Sequence, residues 1–332
     1  MAGSTIEVRL EDSDEFMHPG PEDTFNESMY FNLYDPAERI GGFVRIGNRP
    51  NEGHAEVTAC IYMPDGRVGF MFSRPGITGN ERFDAAGASF EVIEPFASLE
   101  VRYDGRLVML EEPLEMADPR SAFRDNPYED ATIELRYRGA SDPWGGEPQG
   151  VSERAGEEFA KGHYEQLMTA TGSITVGDEE FVVSGRGLRD HSWGPRTWQA
   201  PWYYRWLTGN AGPDFGFMVS RIARQDRDGT RGGFVWEDGT LHLCGHSEIR
   251  TEWAGDDTYH QRIEALLRSG EREWRIAGEV LNLIPLRNRR DGRVTRISEG
   301  LTEWHVEGRP TGYGLSEYLD QIVEGRPVGI DE

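Results

Sequence analysis

The sequence is poor in lysine, in cysteine and in long apolar runs. Lys161 is the single lysine of the 332 residues, and its Gly- and Glu-rich surroundings are not the apolar pocket that activates a Schiff-base lysine. Two cysteines, Cys60 and Cys244, are too few for a disulfide scaffold. No window approaches the roughly 18 apolar residues of a membrane-spanning helix, and the acidic N-terminus lacks the apolar core of a signal peptide. We therefore expect a cytoplasmic protein without stable membrane insertion.

Positive charge is scarce as well. The chain carries 35 Lys and Arg against 59 Asp and Glu, which gives a formal net charge of −24. A nucleic acid or an anionic membrane would be repelled over most of such a surface, so these partners are excluded. A hydrophobic content of 37% with 11% aromatic residues supports a substantial core, and a small-molecule ligand stays compatible with the charge.

Short alternating segments dominate the chain from residue 28 onward, and they predict an antiparallel meander. Before residue 140 these segments are 29–33, 42–46, 54–63, 67–72, 89–94, 97–103, 106–110 and 132–138. Turns are predicted at Asp65-Gly66 and at Asp104-Gly105, and a brief helix is predicted over residues 317–324.

Features of the first half return in the same order in the second half. The matching segments are 30–33 with 203–206, 42–44 with 216–218, 65–66 with 238–239, and 185–191 with 312–318. Such self-similarity indicates an internal duplication. We predict a barrel-like domain at residues 1–197, with an acidic arm at 1–27 and a long Gly- and Pro-rich loop at 139–162, and a second barrel at 198–332.

The densest concentration of reactive side chains lies where the two predicted domains meet. Asp190 and His191 form an adjacent acid and imidazole, and Arg196 follows within the same turn-rich stretch. An acid beside an imidazole at an apolar cavity can protonate an alkene, a carbonyl or a hydroxyl, while Arg196 holds Asp190 or a substrate oxygen. The alternative is structural, because Glu317 occupies the place of Asp190 in the second copy and an acid there would serve barrel closure.

Large aromatic side chains surround this stretch. They are Trp193, Trp198, Trp202, Tyr203, Tyr204 and Trp206. We predict that they bind substrate, and their ring faces can stabilise a developing cation. Aromatic residues of this kind are also common in cores.

Three other interpretations of motifs in the sequence are excluded: a nucleotide-binding loop, a serine hydrolase and a zinc site. Gly185-x-Gly187 is no nucleotide loop, because no third glycine follows and Pro195 stands where the helix would run. Ser192 lacks the Gly-x-Ser-x-Gly elbow of serine hydrolases. Alternate residues of a strand lie about 7 Å apart, too far for His242-x-Cys244-x-His246 to hold one zinc ion. We expect neither a metal nor a nucleotide cofactor.

One family shares these motifs. Members carry counterparts of Gly185-x-Gly187, of His163-Tyr164-Glu165-Gln166 and of Arg189-Asp190-His191-Ser192-Trp193-Gly194-x-Arg196. From about Tyr30 to Tyr318 the chain resembles the AttH-like/carotenoid 1,2-hydratase (hydroxyneurosporene synthase) superfamily. The resemblance implies an all-β protein of two tandem lipocalin-like antiparallel β-barrel domains with a ligand cavity between or within them. It also implies relatives that hydrate or cyclise isoprenoid chains without metal or nucleotide. Asp190, His191, Trp193 and Arg196 match its motif.

The sequence thus predicts a cofactor-independent lyase or isomerase of hydratase or cyclase type. Its substrate would be a hydrophobic terpenoid, steroid-like or polyketide molecule. The alternative is a lipocalin-like carrier that binds such a molecule without converting it. The oligomeric state stays open, with a homodimer as the candidate assembly.

Overall fold

The computed structural model describes residues 10–147, 159–226, 229–255 and 259–330 and is built almost entirely of antiparallel strands. The strands of the first half are β1 Phe25–Asp35, β2 Ile40–Arg49, β3 His54–Tyr62, β4 Val68–Ser73, β5 Phe83–Ala85, β6 Ala88–Glu94, β7 Ser98–Leu110, β8 Tyr128–Gly139, β9 Trp144–Gly146, β10 Gly162–Val176 and β11 Glu179–Pro195. Those of the second half are β12 Tyr203–Asn210, β13 Phe215–Ala223, β14 Arg231–Glu237, β15 Thr240–Cys244, β16 His246–Ala254, β17 Tyr259–Ser269, β18 Arg272–Arg290, β19 Arg293–Val306, β20 Gly312–Val323 and β21 Arg326–Pro327.

Among the described residues, helical structure is confined to short connections. There, three 3₁₀ helices span Asp12–Glu15, Pro50–Glu52 and Pro113–Ala117, and the α-helix α1 spans Pro119–Asp125. In the ranges that the structure describes, none of these helices is long and apolar enough to cross a membrane.

The strands form two sheets with the same internal order. The first runs β4-β3-β2-β1-β11-β10-β8-β7-β6-β5, and β4 also pairs with β7, which closes it into a barrel. The second runs β15-β14-β13-β12-β20-β19-β18-β17-β16. The link between the sheets lies between β11 and β12. The predicted all-β fold of tandem lipocalin-like barrels is confirmed.

The repeated Gly-x-Gly-Leu segments mark a close crossing of strands. A Cβ on Gly187 would lie 1.9 Å from the carbonyl oxygen of Asn32, and one on Gly314 would lie 2.0 Å from that of Thr208. Only glycine allows backbones to approach this closely. These glycines therefore have a packing role in each barrel rather than a phosphate-binding role.

The register of the repeat differs from the sequence match in β1 and β12. Tyr30 pairs with Asp190, whereas the residue that pairs with Glu317 is Trp206. Trp206, rather than Tyr203, is thus the counterpart of Tyr30. Tyr203 and Trp206 are three residues apart in β12. Since side chains alternate along a strand, Tyr203 points to the face opposite to that of Trp206 and cannot take the place of Tyr30.

Two local predictions were wrong. Residues 317–324, predicted as a helix, belong to β20 and its following turn, because β20 is bonded on both sides by β12 and β19. Asp104-Gly105 is not a turn but the middle of β7, which pairs without a break with β8. The predicted loop at 139–162 contains β9, which pairs with β10, and its residues 148–158 lie outside the described residues.

Among the described residues, alternation along the strands creates three large apolar cores and a smaller cluster of Phe25, Tyr164 and Trp193. In β1, Phe31 points into the first barrel, whereas Tyr30 faces the second domain. In β12, Leu207 points into the second barrel, whereas Tyr204 and Trp206 face the first. The two domains therefore pack through the outer faces of β1 and β12 and of their neighbours, and the candidate site lies in this packing region.

The acidic arm closes one end of the first barrel. Glu15, in the first 3₁₀ helix, is buried and accepts two hydrogen bonds from the Arg189 guanidinium, of which the Nη2 bond is 2.8 Å long. Burial alone would raise the pKa of Glu15, but the hydrogen bonds and charge of Arg189 hold it below its usual value. This role of the arm was not predicted from the sequence.

Candidate active site between the barrels

A cavity of about 830 Å³ lies between the two barrels. Aromatic and aliphatic side chains from both domains line most of it. The principal aromatic residues are Phe43, Phe70, Phe159, Trp198, Tyr204 and Trp206. This volume and this lining are typical of sites for small hydrophobic molecules.

Two pairs of carboxyl groups face one another in this cavity. Glu165 of β10 lies directly across from Asp190 of β11, and Glu299 of β19 lies directly across from Glu317 of β20. The two pairs occupy equivalent positions in the repeated sheets. Carboxyl groups directly opposite one another repel when they are ionised and destabilise the sheet, so the pairing of four of them at one site indicates a role other than stability.

The first pair includes an imidazole. His163, two residues before Glu165, has 42% of its side chain exposed, and its Nε2 atom lies 3.4 Å from Asp190 Oδ2. Burial lowers the pKa of His163, but the Asp190 hydrogen bond and the neighbouring carboxylates raise it above its usual value. Trp206 Nε1 donates a hydrogen bond of 2.6 Å to Glu165, and burial raises the pKa of that carboxyl to about 7.

The second pair holds protons more strongly. Burial, and then the charge of Asp190, raise the pKa of Glu317 to about 8, and burial raises that of Glu299 to about 8. Glu299 Oε2 has no hydrogen-bond partner within the described ranges. At neutral pH both are carboxylic acids whose protons are available to a ligand.

Two guanidinium groups complete the polar end. Arg196 donates hydrogen bonds to the Phe159 carbonyl and to Ser192 Oγ, both of 2.9 Å, and its charge lies over the rings of Phe159 and Trp198. Burial, and then the charge of Arg45, lower the pKa of Arg196 to about 9, so it remains a cation at neutral pH. Arg45 Nη2 lacks a hydrogen-bond partner among the described residues. This end of the cavity can bind an oxygen atom.

The structure brings five of the predicted site residues to this cavity. They are Asp190, Arg196, Trp198, Tyr204 and Trp206. His191 and Trp193 lie on the opposite face of β11 and are not part of its lining, and His191 Nε2 instead contacts Glu27 at 2.6 Å. Trp202 and Tyr203 are also absent from the lining, and Tyr203 packs against the guanidinium groups of Arg205 and Arg221.

Sequence reasoning missed four of the polar cavity residues. His163 and Glu165 were noted only as part of a motif, although their spacing of two places them on one face of a strand. Glu317 was interpreted as a barrel-closure residue, and Glu299 was not singled out. The pairing of β19 with β20 brings the last two together, and that pairing is not visible in local sequence.

The His242-x-Cys244-x-His246 segment does not converge on one point. Cys244 is buried and its thiol contacts the His242 carbonyl, whereas His246 begins β16 and pairs with Glu248 at 3.0 Å. In the part of the chain that the structure describes, these three side chains form no common group of metal ligands.

Solved structures with the same fold include proteins of known name. The chain is similar to kievitone hydratase from Nectria haematococca, with a TM-score of 0.59 and 11% identity over 96% of this chain and 94% of that one. It is similar to CghA solved with Sch210972, with a TM-score of 0.53 and 14% identity over 90% and 88%. It is also similar to a protein assigned as AttH from Nitrosomonas europaea, with a TM-score of 0.52 and 15% identity over 90% and 94%.

These similarities confirm the fold predicted from the motifs, that of the AttH-like and carotenoid hydratase-like proteins. A search of curated proteins gave no match. A match to a described family covers residues 11–322, and the chain therefore belongs to the family described as "Domain of unknown function (DUF7064)".

Proposed function

We propose that the chain is an enzyme of the hydratase or cyclase type, a lyase or isomerase that protonates a hydrophobic small molecule in the cavity between the barrels. The observation that carries the proposal is the set of buried carboxyl groups with raised pKa, Glu165, Glu299 and Glu317, facing an aromatic cavity. Groups perturbed in this way by burial in a cleft are typical of catalytic acids. The name of kievitone hydratase, a protein of the same fold, supports the same reaction type.

The proposed reaction begins with transfer of a proton from neutral Glu317 or Glu299 to an alkene carbon or to a carbonyl or hydroxyl oxygen. The cation that forms lies against the faces of Trp198, Tyr204 and Trp206, which stabilise positive charge. In a hydration, water then adds to the cation and gives its proton to a base. In an isomerisation or cyclisation, the base takes the proton from carbon instead.

The base is assigned to Asp190 with His163 rather than to Asp190 with His191. His163 lies 3.4 Å from Asp190 in the cavity, whereas the His191 ring is on the far face of the strand. Arg196 and Arg45 are placed to hold a substrate oxygen. All groups required for one proton cycle belong to the chain itself, so the proposed reaction uses no cofactor.

The substrate is proposed to be a terpenoid, steroid-like or polyketide molecule. A volume of about 830 Å³ accommodates a ligand of that size, and the mostly apolar walls favour a skeleton with few polar groups. The acids and guanidinium groups at one end suit a single oxygen-bearing or unsaturated terminus. A homodimer and a cytoplasmic location stay predictions.

The experiment uses a panel of such alkenes and ketones incubated with the full chain in D₂O. Binding is followed by quenching of tryptophan fluorescence, and conversion by mass spectrometry. We expect the wild type to convert a bound compound by adding water or by exchanging a carbon-bound proton, and we expect Glu317→Gln and Asp190→Asn to bind it without conversion. Binding without conversion by every form would establish the carrier alternative, and no binding of any compound would contradict both functions.

A further inference from the structure

A second group of ionisable side chains lies at the end of the first barrel, on the face of β11 opposite the cavity. We propose that His18, Glu27 and His191 bind one divalent transition-metal ion, with Zn²⁺ fitting the ligand set best. Two imidazoles and one carboxylate are a common protein ligand set for zinc. This site is separate from the proposed proton transfer and serves to hold the N-terminal arm.

The three ligand atoms converge on one point. His18 Nδ1 lies 2.9 Å and His191 Nε2 lies 2.6 Å from the same oxygen atom, Glu27 Oε1. All three ligand atoms lie within 4.8 Å of one another. Glu27 Oε2 has donors of its own, the His18 backbone N–H at 2.9 Å and Asn80 Nδ2 at 3.4 Å. Oε1 is therefore left to face the two imidazoles.

One of the two nitrogen atoms that point away from the proposed ion has a hydrogen-bond partner. His191 Nδ1 lies 3.4 Å from the Tyr164 hydroxyl, which bonds in turn to Glu15. In metal sites a ligating histidine usually donates its other N–H to a carboxylate or to another polar group, and His191 has this arrangement. His18 Nε2 lies 3.6 Å from the Asp14 carboxylate, too far for a hydrogen bond.

Burial and ring packing restrict the ligands before an ion arrives, and binding of the ion would lengthen the two nitrogen–oxygen contacts beyond their present hydrogen-bond distance. The side chains of Glu27 and His191 are fully buried, and His18 is 16% exposed. The His18 ring stacks on Trp193 with centroids 3.8 Å apart and an angle of 4° between the planes. Rings held in this way lose little freedom on binding, and the part-exposed His18 leaves a route for the ion and for a water as fourth ligand.

The three ligands come from three segments. His18 belongs to the arm, Glu27 to β1 and His191 to β11. A bound ion would therefore join the arm to two neighbouring strands of the barrel. The competing interpretation is a metal-free network in which both neutral imidazoles donate to Glu27, and the two interpretations differ in what zinc does to the protein.

The test uses the full chain freed of metal with a chelator and then titrated with Zn²⁺ by calorimetry, with the Tm measured at each ratio. We expect one equivalent to bind and to raise the Tm, since a ligand bound only to the folded state stabilises it. His18→Ala should weaken binding about 100-fold or more, because it removes a ligand. His246→Ala, an exposed histidine paired with Glu248, is the matched control and should bind as the wild type does.

Co²⁺ in place of Zn²⁺ provides a second readout, because its visible spectrum reports nitrogen ligation directly. We expect a spectrum of mixed nitrogen and oxygen ligands that is lost in His18→Ala. Absence of stoichiometric binding by the wild type would overturn the proposal. Equal binding by the wild type and by a folded His18→Ala would overturn it as well, since the ion would then lie elsewhere.

Discussion

Replacing Glu317 with glutamine removes the acidic proton of this side chain and keeps its shape. Glutamine has the size of a protonated glutamate but carries no ionisable proton. With a pKa of about 8, Glu317 is mainly neutral at pH 7, so the variant should fold as the wild type does at that pH. Turnover should fall about 100-fold or more, as expected on loss of a general acid.

The raised pKa of Glu317 changes the free energy of unfolding in a defined direction and over a defined pH range. The folded protein keeps the Glu317 proton up to pH about 8, whereas the unfolded chain releases it near the ordinary value of 4.5. Between these values the folded state binds more protons, so the free energy of unfolding falls as pH rises. The full difference corresponds to about 4 to 5 kcal/mol, and a higher effective dielectric constant than that of a dry interior reduces it to about 2 to 4 kcal/mol.

Urea denaturation at pH 5, 7 and 8.5 measures this difference. We expect Glu317→Gln to match the wild type at pH 5 and to exceed its stability by about 2 to 4 kcal/mol at pH 8.5. Glu180→Gln, at an exposed position of β11, is the control and should follow the wild type throughout. Parallel stability curves for wild type and Glu317→Gln would refute the assignment of a raised pKa to this carboxyl.

Three further changes test other parts of the structure. Gly187→Ala and Gly314→Ala should each lower the free energy of unfolding, measured by urea denaturation, by about 3 kcal/mol or more, because the new Cβ meets a carbonyl oxygen. The control Gly245→Ala, where a Cβ has open space, should leave the free energy of unfolding unchanged. Equal stability of all three variants would contradict the close crossing of strands. Glu15→Ala should cost about 3 to 5 kcal/mol, because it leaves the Arg189 charge buried without its carboxylate, and an unchanged denaturation midpoint would show that the arm is not docked there. His163→Gln should lower turnover about 100-fold or more, whereas the exposed control His305→Gln should not, and full activity of His163→Gln would exclude it from the proton cycle.

Local sequence predicted the strands because their alternation and turn residues are local signals. The Asp65-Gly66 turn and the hairpin of β10 and β11 follow from a few neighbouring residues each. The predicted helix at 317–324 failed because β20 is held by hydrogen bonds to two distant strands. Tertiary pairing of this kind overrides a weak local preference.

The motif residues Asp190 and His191 both belong to β11, but only Asp190 lines the cavity. Asp190 and His191 are neighbours, so on an extended strand their side chains must point to opposite sides. The structure therefore does not bring Asp190 and His191 to the same cavity, and the imidazole that lies beside Asp190 is that of His163 in β10. Glu299 and the arm residues Glu15 and His18 reach their sites through contacts far apart in sequence, which no local pattern reports.

The most direct test of the central claim is deuterium transfer from the cavity acids to carbon. A bound alkene or ketone is incubated in D₂O with the wild type and with the double variant Glu299→Gln/Glu317→Gln, and carbon-bound deuterium is measured by mass spectrometry and NMR. We expect the wild type to place one deuterium at one carbon position and the double variant to bind the same compound without doing so. Equal incorporation by both proteins, or a wild type that holds the ligand in the cavity without any exchange or conversion, would contradict the account.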